Sequence, residues 1–257
     1  MKSYNHVLFD LDGTLTDPKL GITQCVQYAL SKFKIQVTDL SVLECFIGPP
    51  LDESFREYYG LNVAESIKAV EFYRERFRSV GLYENEVIKG IQEMLKALRE
   101  DGVELHVATS KPTVFAEIIL KHFKLDQFFV SIIGSNLDGT RSKKVEIIQH
   151  ILASQPQIDT NSVIMVGDRK HDIIGANLAG VDSVGVTFGY GSEEELLTAN
   201  PTYIVNSVSN LLDVLRLKEK AISKERDVYN ENSSNLWQCT RSISNKEPFK
   251  AIRKLFN

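Results

Sequence analysis

Two aspartates separated by one residue lie directly after a short apolar run near the start of the chain. Asp10 and Asp12 follow Val7–Phe9 in the segment DLDGTLTD. Alternate side chains of a strand share a face, so the two carboxylates are expected to point the same way. Like charges this close need a cation or a shared proton, and Mg²⁺ binds carboxylate oxygens together with waters and a substrate phosphate. The pair predicts metal-assisted phosphoryl chemistry, although a turn built on Asp, Gly and Thr explains the DGT segment about as well.

Further polar groups follow other predicted strands or begin predicted helices. The segment TSK (109–111) comes after an apolar run, and Lys144 lies in the segment RSKK. Asp168 and Asp172 lie in the segment GDRKHD, which follows another apolar run. In an open parallel sheet the carboxyl ends of the strands meet in one crevice. The spacing therefore predicts that these groups share one site with Asp10.

Taken in order along residues 1 to about 215, these four groups resemble the four motifs of the haloacid dehalogenase (HAD) superfamily of phosphohydrolases. The segments GDRKHDI and DGTR further resemble the branch of phosphoglycolate phosphatases and 5′-nucleotidases. The resemblance implies an α/β fold, a Rossmann-like parallel-sheet core with a small α-helical cap domain inserted after the first strand. It also implies Mg²⁺-dependent hydrolysis of small phosphomonoesters, phosphoglycolate or nucleoside 5′-monophosphates, through an aspartyl-phosphate intermediate.

The same resemblance implies roles for the residues of the first motif. Asp10 is expected to be the nucleophile and to give one oxygen to Mg²⁺. Asp12 is expected to be the general acid and base, with its backbone carbonyl on the metal, and its presence favours phosphate esters over haloacids. The backbone of the turn at Gly13 is expected to bind phosphate oxygens. Asp17 is expected to order the loop that leads into the cap.

The second and third motifs are expected to hold the transferring phosphoryl group and to neutralise its charge. The Thr109 hydroxyl and the Ser110 N–H, the latter at the start of the following helix, would donate to its oxygens. Taken alone, this Thr-Ser pair is also typical of a helix cap. Lys144, counted from Arg141 in the family pattern, is favoured over Lys143 as the lysine that neutralises the nucleophile and the phosphoryl oxygens.

The fourth motif supplies two more carboxylates. Asp168 is expected to bind Mg²⁺ directly, and Asp172 to act through water or by holding the motif lysine in place. An Asp at this place is also a routine helix cap. Arg169 and Lys170 are expected to attract anionic substrates to the mouth of the site. His171 is expected to lie behind the carboxylates, because Mg²⁺ prefers oxygen ligands.

Each of three basic residues has two possible roles. Lys111 belongs either to the site or, next to Pro112, to the charged surface. Arg141 contacts the substrate or orients its loop, or else it faces solvent. Arg56 is the nearest cation for a second anionic group of the substrate, such as a carboxylate, or it forms a salt bridge on the surface of the cap.

Strand-like and helix-like runs alternate along most of the chain, which predicts βαβ units and a parallel sheet. Residues 1–17 and 86–215 are assigned to the α/β core, and residues 18–85, where only helical patterns occur, to the cap. Closure of such a cap would exclude water and bring in substrate contacts, and the segment 47–51 is expected to cover the site. The alternative is a helical subdomain that only enlarges the core.

Composition places the chain among ordinary globular proteins. Of its 257 residues 43% are hydrophobic and 25% charged, and the net charge of −4 gives no reason to expect nucleic-acid binding. Three scattered cysteines without a CxxC pair favour a reducing compartment over a disulfide scaffold or a cysteine-based zinc site. No apolar stretch reaches the roughly 20 residues of a membrane span, and no Sec-type signal peptide is recognised. The expected location is the cytoplasm, and secretion through a C-terminal signal is compatible with the sequence.

Residues 216–257 differ from the rest in charge. They carry ten Lys and Arg residues against five Asp and Glu residues, and they end in a short basic amphipathic stretch. This extension is expected to be disordered or loosely helical, and either solvated or docked on a protein partner, an anionic membrane surface or the protein's own core. Two alternative functions follow: a phosphosugar mutase of the same fold, or a binding or regulatory protein that acts through this tail.

Overall fold

The computed structural model describes residues 3–216. Six parallel strands form the main sheet, in the order β5–β4–β1–β6–β7–β8, and two further strands, β2 and β3, pair antiparallel beside it. The strands are β1 (His6–Phe9), β2 (Thr16–Asp17), β3 (Glu86–Val87), β4 (Glu104–Pro112), β5 (Ser131–Ser135), β6 (Val163–Gly167), β7 (Asp182–Val186) and β8 (Tyr203–Val205).

Helices separate the strands of the main sheet and cover both of its faces. They are α1 (Lys19–Lys32), α2 (Leu51–Tyr59), α3 (Val63–Arg76), α4 (Ile91–Glu100), α5 (Thr113–His122), α6 (Lys144–Ser154), α7 (Lys170–Ala179), α8 (Glu193–Thr198) and α9 (Val208–Leu215). Burial on both faces explains why the strands are continuous apolar runs rather than alternating ones. In β1, for example, Val7, Leu8 and Phe9 are all fully buried.

The strand order reverses next to β1, which pairs with β4 on one side and with β6 on the other. Connections from β1 through β4 to β5 run in one direction, whereas those from β6 through β7 to β8 run in the other. Such a reversal opens a crevice at the carboxyl ends of the two central strands. Asp10, which follows β1, and Asp168, which follows β6, stand at this crevice.

Residues 19–81, here called the helical insert, contain α1, α2 and α3 and no strand. A 3₁₀ helix (Leu40–Phe46) and a π-helical turn (Phe77–Gly81) complete it. The α-helix α3 ends at Arg76, and the π-helical turn continues the chain to Gly81. At this point the chain crosses α1 closely, since a Cβ atom on Gly21 would lie 2.3 Å from the Gly81 carbonyl oxygen.

The two connections between insert and core pair with each other as β2 and β3, with Thr16 opposite Val87 and Asp17 opposite Glu86. Within residues 3–216 no helix combines the length and apolar character needed to cross a bilayer. The basic extension predicted at 216–257 lies, apart from its first residue, outside the described residues.

Candidate active site

Backbone hydrogen bonds place the first aspartate at the crevice. The Asp10 N–H donates to the carbonyl oxygen of Val166 across 2.9 Å, which continues the pairing of β1 and β6 beyond the last residue of β1. Asp168 comes one residue after β6 ends, and both carboxylates are buried. The two side chains therefore meet where the strand order reverses.

Lys144, the first residue of α6, lies between two carboxylates. Its Nζ is 2.8 Å from Asp10 Oδ1 and 2.8 Å from Asp172 Oδ1, and it donates to the Ala108 carbonyl oxygen at 2.8 Å. Only 3% of its side chain is exposed. Burial disfavours the charge, but Asp10 and Asp172 outweigh burial and raise the pKa of Lys144. The lysine is therefore held as a cation against both carboxylates.

Two glycines make room for this arrangement. A Cβ atom on Gly175 would lie 2.8 Å from Lys144 Cβ, and one on Gly167 would lie 2.2 Å from Asp172 Cγ. Contacts this short do not occur between real side chains, so helix α7 approaches α6 and β6 closely only because these positions lack side chains.

A third carboxylate, that of Asp168, lies close to the two that contact this lysine. The ligand oxygens of Asp10, Asp168 and Asp172 lie within 4.8 Å of one another, and all three residues are buried. Burial, together with the charges of Asp172 and Asp10, raises the pKa of Asp168 well above its usual range. Burial likewise raises the pKa of Asp172 to about 6. One lysine cannot balance three buried carboxylates, and a set of hard oxygen donors with excess negative charge fits Mg²⁺.

Asp168 is held in place from two sides. The Tyr190 N–H donates to its Oδ2 at 2.8 Å, and the Thr14 hydroxyl donates to its Oδ1 at 3.3 Å. Gly13, with φ of +82°, packs against the same carboxylate. A Cβ atom on Gly13 would come within 2.2 Å of Asp168 Oδ2. The Gly13 N–H, predicted to bind phosphate, donates instead to the Thr16 carbonyl oxygen at 2.8 Å and is engaged within the turn.

Asp12 has a different partner. Its Oδ2 is 2.7 Å from Lys111 Nζ, both side chains are nearly buried, and the Phe77 ring lies 4.8 Å from the same ammonium group. The interpretation of Lys111 as surface charge is therefore wrong. It failed because β4 continues to Pro112 and carries Lys111 into the site. Burial raises the pKa of Asp12, and the Lys111 charge opposes this shift.

Thr109 and Ser110 lie on the same strand. Thr109 is buried, and its Oγ1 accepts a hydrogen bond from the Lys111 N–H at 3.2 Å, so its own hydroxyl proton is left for an acceptor in the site. Ser110 lines the cavity that is described below. It does not begin a helix as predicted, because β4 runs on to Pro112 and α5 starts only at Thr113.

Arg169 was predicted to attract substrate at the mouth of the site, and this prediction is wrong. The residue is 9% exposed, and its Nη1 donates to the Ile47 carbonyl oxygen at 2.6 Å. Its Nε donates to Glu195 Oε1 at 3.0 Å. Arg169 therefore fastens the 47–51 segment of the helical insert to the core. Its neighbour Lys170 stays exposed, and half-buried His171 has a pKa lowered by burial and by Arg169.

Two arginines of the insert differ in their relation to the cavity. Arg56 is exposed and pairs with Asp52 at 3.0 Å on the same helix, as in its surface interpretation. Arg74, which sequence reasoning missed, lines the cavity, and its Nη1 donates to the Leu137 carbonyl oxygen of the core at 2.8 Å. Arg141 orients its own loop through Gly134 O and Asn136 Oδ1, at 3.0 and 3.2 Å.

A cavity of about 480 Å³ lies between the helical insert and the carboxyl ends of the strands. Aromatic and apolar side chains form much of its wall, and polar groups of both parts complete it. The lining includes Asp12, Phe46, Leu51, Asp52, Tyr73, Arg74, Phe77, Ser110, Lys111, Phe115, Asn136 and Asp138. The cavity opens onto the carboxylate that Lys111 holds, as a substrate site requires.

The order and geometry of these groups match a known family. A family model described as haloacid dehalogenase-like hydrolase fits residues 7–186. The chain belongs to this family. The HAD-like fold is also seen in a solved structure, that of a predicted phosphatase from Clostridium acetobutylicum. It is 50% identical, with a TM-score of 0.81 over 84% of this chain and 100% of that one.

Curated relatives of this HAD-family chain carry several names. A 5′-nucleotidase of Pseudomonas aeruginosa is 50% identical over 212 residues, 82% of this chain and 96% of the relative. Tyrosine-protein kinase PtkA of Mycobacterium tuberculosis is 36% identical over 82% of this chain and 70% of its own. A phosphoglycolate phosphatase of Vibrio vulnificus is 31% identical over 81% and 95%. The predictions of an α/β HAD core and of a HAD-type phosphoric monoester hydrolase are confirmed.

Proposed function

We propose that this HAD-family phosphatase hydrolyses nucleoside 5′-monophosphates, with Mg²⁺ and through an aspartyl-phosphate on Asp10. The observation that carries the proposal is the position of Lys144 between Asp10 and Asp172. Asp12, two residues after Asp10, lines the cavity of about 480 Å³, which is large enough for a nucleoside. A carboxylate is a weak nucleophile, so positioning and neutralisation of charge must supply most of the rate.

In the first step a carboxylate oxygen of Asp10 forms a bond to phosphorus, and the bond to the leaving oxygen breaks. Asp12 gives its proton to that oxygen. Burial raises the pKa of Asp12, which favours the protonated form that this step needs. Thr109 donates its hydroxyl proton to a phosphoryl oxygen, and Lys144 balances the negative charge.

In the second step water attacks the phosphorus and the acyl phosphate bond breaks. Asp12, now ionised, takes the proton of the water, and Asp10 is regenerated. Lys111 at 2.7 Å stabilises this ionised form of Asp12. Asp10, the backbone carbonyl of Asp12 and Asp168 would hold Mg²⁺, which would supply charge neutralisation for the phosphoryl group.

The wall of the cavity favours a nucleoside over phosphoglycolate. Phe46, Tyr73, Phe77 and Phe115 offer aromatic surface to a base. Of the four acidic residues that line the wall, Asp52 and Glu71 are paired with Arg56 and Lys68, whereas Glu53 and Asp138 would repel the carboxylate of phosphoglycolate. The name of the 50% identical relative, 5′-nucleotidase, agrees with this choice.

We further propose that residues 18–85 act as a cap and that residues 1–17 and 86–215 are the catalytic core. The contacts that support the proposal join the two parts over the cavity. Arg169 holds Ile47, and Arg74 holds Leu137. Release of these few contacts would let substrate enter, and their return would exclude water.

The test is phosphate release by the purified full chain, with Mg²⁺ or with a chelator, from nucleoside 5′-monophosphates, phosphoglycolate and a hexose phosphate. We expect metal-dependent release with the highest kcat/KM for a nucleotide. Asp10→Asn should abolish turnover, whereas Asp213→Asn, an exposed carboxylate, should not. A preference for phosphoglycolate would overturn the choice of substrate. Conversion of a phosphosugar into its isomer without phosphate release would support the mutase instead. A cytoplasmic location and a role for the basic tail stay predictions.

A further inference from the structure

A second group of metal-binding side chains lies at the opposite end of the sheet. His6 begins β1 and Glu104 begins β4, and the two residues are paired in the parallel register. His106 is two residues further along β4, so its side chain shares a face with that of Glu104. One ligand atom from each of the three lies within 4.8 Å of the other two.

The His106 imidazole is buried with half of its hydrogen-bonding capacity unused. The residue is 0% exposed, and its Nδ1 is 2.9 Å from the Ser131 hydroxyl oxygen. Its Nε2 is buried and has no hydrogen-bond partner within residues 3–216. When Nδ1 donates its proton to Ser131, Nε2 carries a free lone pair. A hydrogen bond from the other ring nitrogen, such as this one, fixes the imidazole of many metal-binding histidines.

The spacing of the other two ligands agrees with a tetrahedral ion. His6 Nδ1 and Glu104 Oε2 are 3.5 Å apart. Two ligands at bond lengths of about 2.1 Å on a tetrahedral ion are separated by about 3.4 Å. Glu104, with 45% of its side chain exposed, leaves the group open to solvent, from which an ion can enter.

We propose that His6, Glu104 and His106 bind one divalent cation of the zinc class, with water as the fourth ligand. Two imidazoles and one carboxylate are a donor set that Zn²⁺ accepts, whereas Mg²⁺ does not favour nitrogen. The chain has no CxxC pair to indicate a zinc site. The ligands of this site come from two strands that lie far apart in sequence, so no spacing motif reveals them.

The ion would join the first residues of β1 and β4. His6 and Asp10 are separated by about 13 Å along β1, so the proposed site lies apart from the phosphoryl chemistry. Burial lowers the pKa of His106 most, and the charges of His6 and of nearby Arg99 lower it further. The positive charge of Arg99 would repel a bound cation, and the Glu104 carboxylate must offset this repulsion. Glu104 is therefore the most informative residue to change.

The experiment is titration of the wild-type full chain with Zn²⁺ by calorimetry, in excess Mg²⁺ to occupy the carboxylate cluster. Co²⁺ absorption spectra then report the coordination. The variants are Glu104→Gln, His6→Gln and Ser131→Ala, and the control is His150→Gln, an exposed histidine. We expect one Zn²⁺ equivalent in the wild type and the control. Each variant should bind Zn²⁺ at least about tenfold more weakly than the wild type and should lose the tetrahedral Co²⁺ spectrum.

Zn²⁺ should also raise the Tm of the wild type but not that of Glu104→Gln, while both proteins keep the same Tm in chelator. We expect equal Tm values in chelator because Glu104 is half exposed. Such equality would show that the variant is folded. Equal affinity and stoichiometry in the wild type and Glu104→Gln would overturn the site. Neither outcome depends on phosphatase activity, so the proposed function is tested separately.

Discussion

Lys111 Nζ lies 2.7 Å from Asp12 Oδ2, beneath the ring of Phe77 from the helical insert. This ion pair links a strand of the core to the aspartate that we assign as acid and base. It also places the ammonium group against the part of the molecule that covers the site. The protonation of Asp12 and the position of the insert are therefore coupled through one side chain.

Lys111→Met should lower kcat by about tenfold or more, because general acid–base catalysis contributes about 10²–10⁴-fold. Loss of the lysine removes the charge that opposes the raised pKa of Asp12. The pKa then rises further, and the acid limb of kcat against pH should move to higher pH. Lys143→Met, at an exposed lysine, is the control. An unchanged pH profile would contradict the role of Lys111.

Asp168→Asn should raise the Tm of the protein in chelator by about 3 °C or more, since it removes one of three crowded buried carboxylates. The raised pKa of Asp168 means that its ionised form destabilises the metal-free fold at neutral pH. With Mg²⁺ the Tm of the variant should instead lie below that of the wild type, because the variant loses a metal ligand. Calorimetric scans with and without Mg²⁺ measure both effects, and Asp213→Asn should show neither. A lower Tm in chelator would argue against electrostatic crowding.

Glu195 should stabilise the fold only above the acid range. Burial opposes its ionisation, but the Lys170 N–H and the Arg169 guanidinium outweigh burial and lower its pKa below the usual 4.5. The stability from a lowered carboxyl pKa is present above the unfolded value and is lost as pH falls through the folded one. Glu195→Gln should therefore lower Tm near pH 6 and have a smaller effect as the pH falls below about 4.5. A difference that does not change with pH would show that ionisation contributes nothing.

Gly175→Ala should reduce both stability and kcat. The new methyl group would overlap Lys144 Cβ and Cγ, at 2.8 and 2.9 Å, and overpacking costs about 1–3 kcal/mol. Displacement of Lys144 would weaken its hold on Asp10. Gly180→Ala is the control, since that residue has φ of +73° and no atom within 4 Å of a new Cβ. The control should lose stability but keep kcat. Equal kcat in both variants would contradict the positioning of Lys144 by α7.

Arg74→Gln should raise KM for a nucleotide several-fold, because Arg74 lines the cavity and ties the insert to Leu137. Arg56→Gln should leave KM unchanged, since Arg56 is exposed and pairs within its own helix. Steady-state kinetics on the two variants separate these outcomes. A larger effect at Arg56 would restore the role first considered for it.

The sequence alone predicted the core well because its signals are local. Apolar runs of three to six residues marked the strands, and Asp10, Asp168 and Asp172 followed from their positions at strand ends and helix starts. Arg169 and Arg74 could not be placed in this way, because both depend on how the insert folds back over the core. Lys111 was obscured by Pro112, which suggested that the strand had already ended. The His6–Glu104–His106 group was missed for a related reason, since its members meet only through the register of β1 and β4.

The central strand β1 has consequences for how the chain is made. It leaves the ribosome before the other strands of the main sheet, and its neighbours β4 and β6 follow only roughly 100 and 160 residues later. At about 5–20 residues per second, β1 waits on the order of 10 s or more for its second partner. During that time its apolar residues lack their final cover, and Asp10 lacks the contact with Lys144. Premature association with other nascent chains is thus a hazard at the strand that carries the proposed nucleophile.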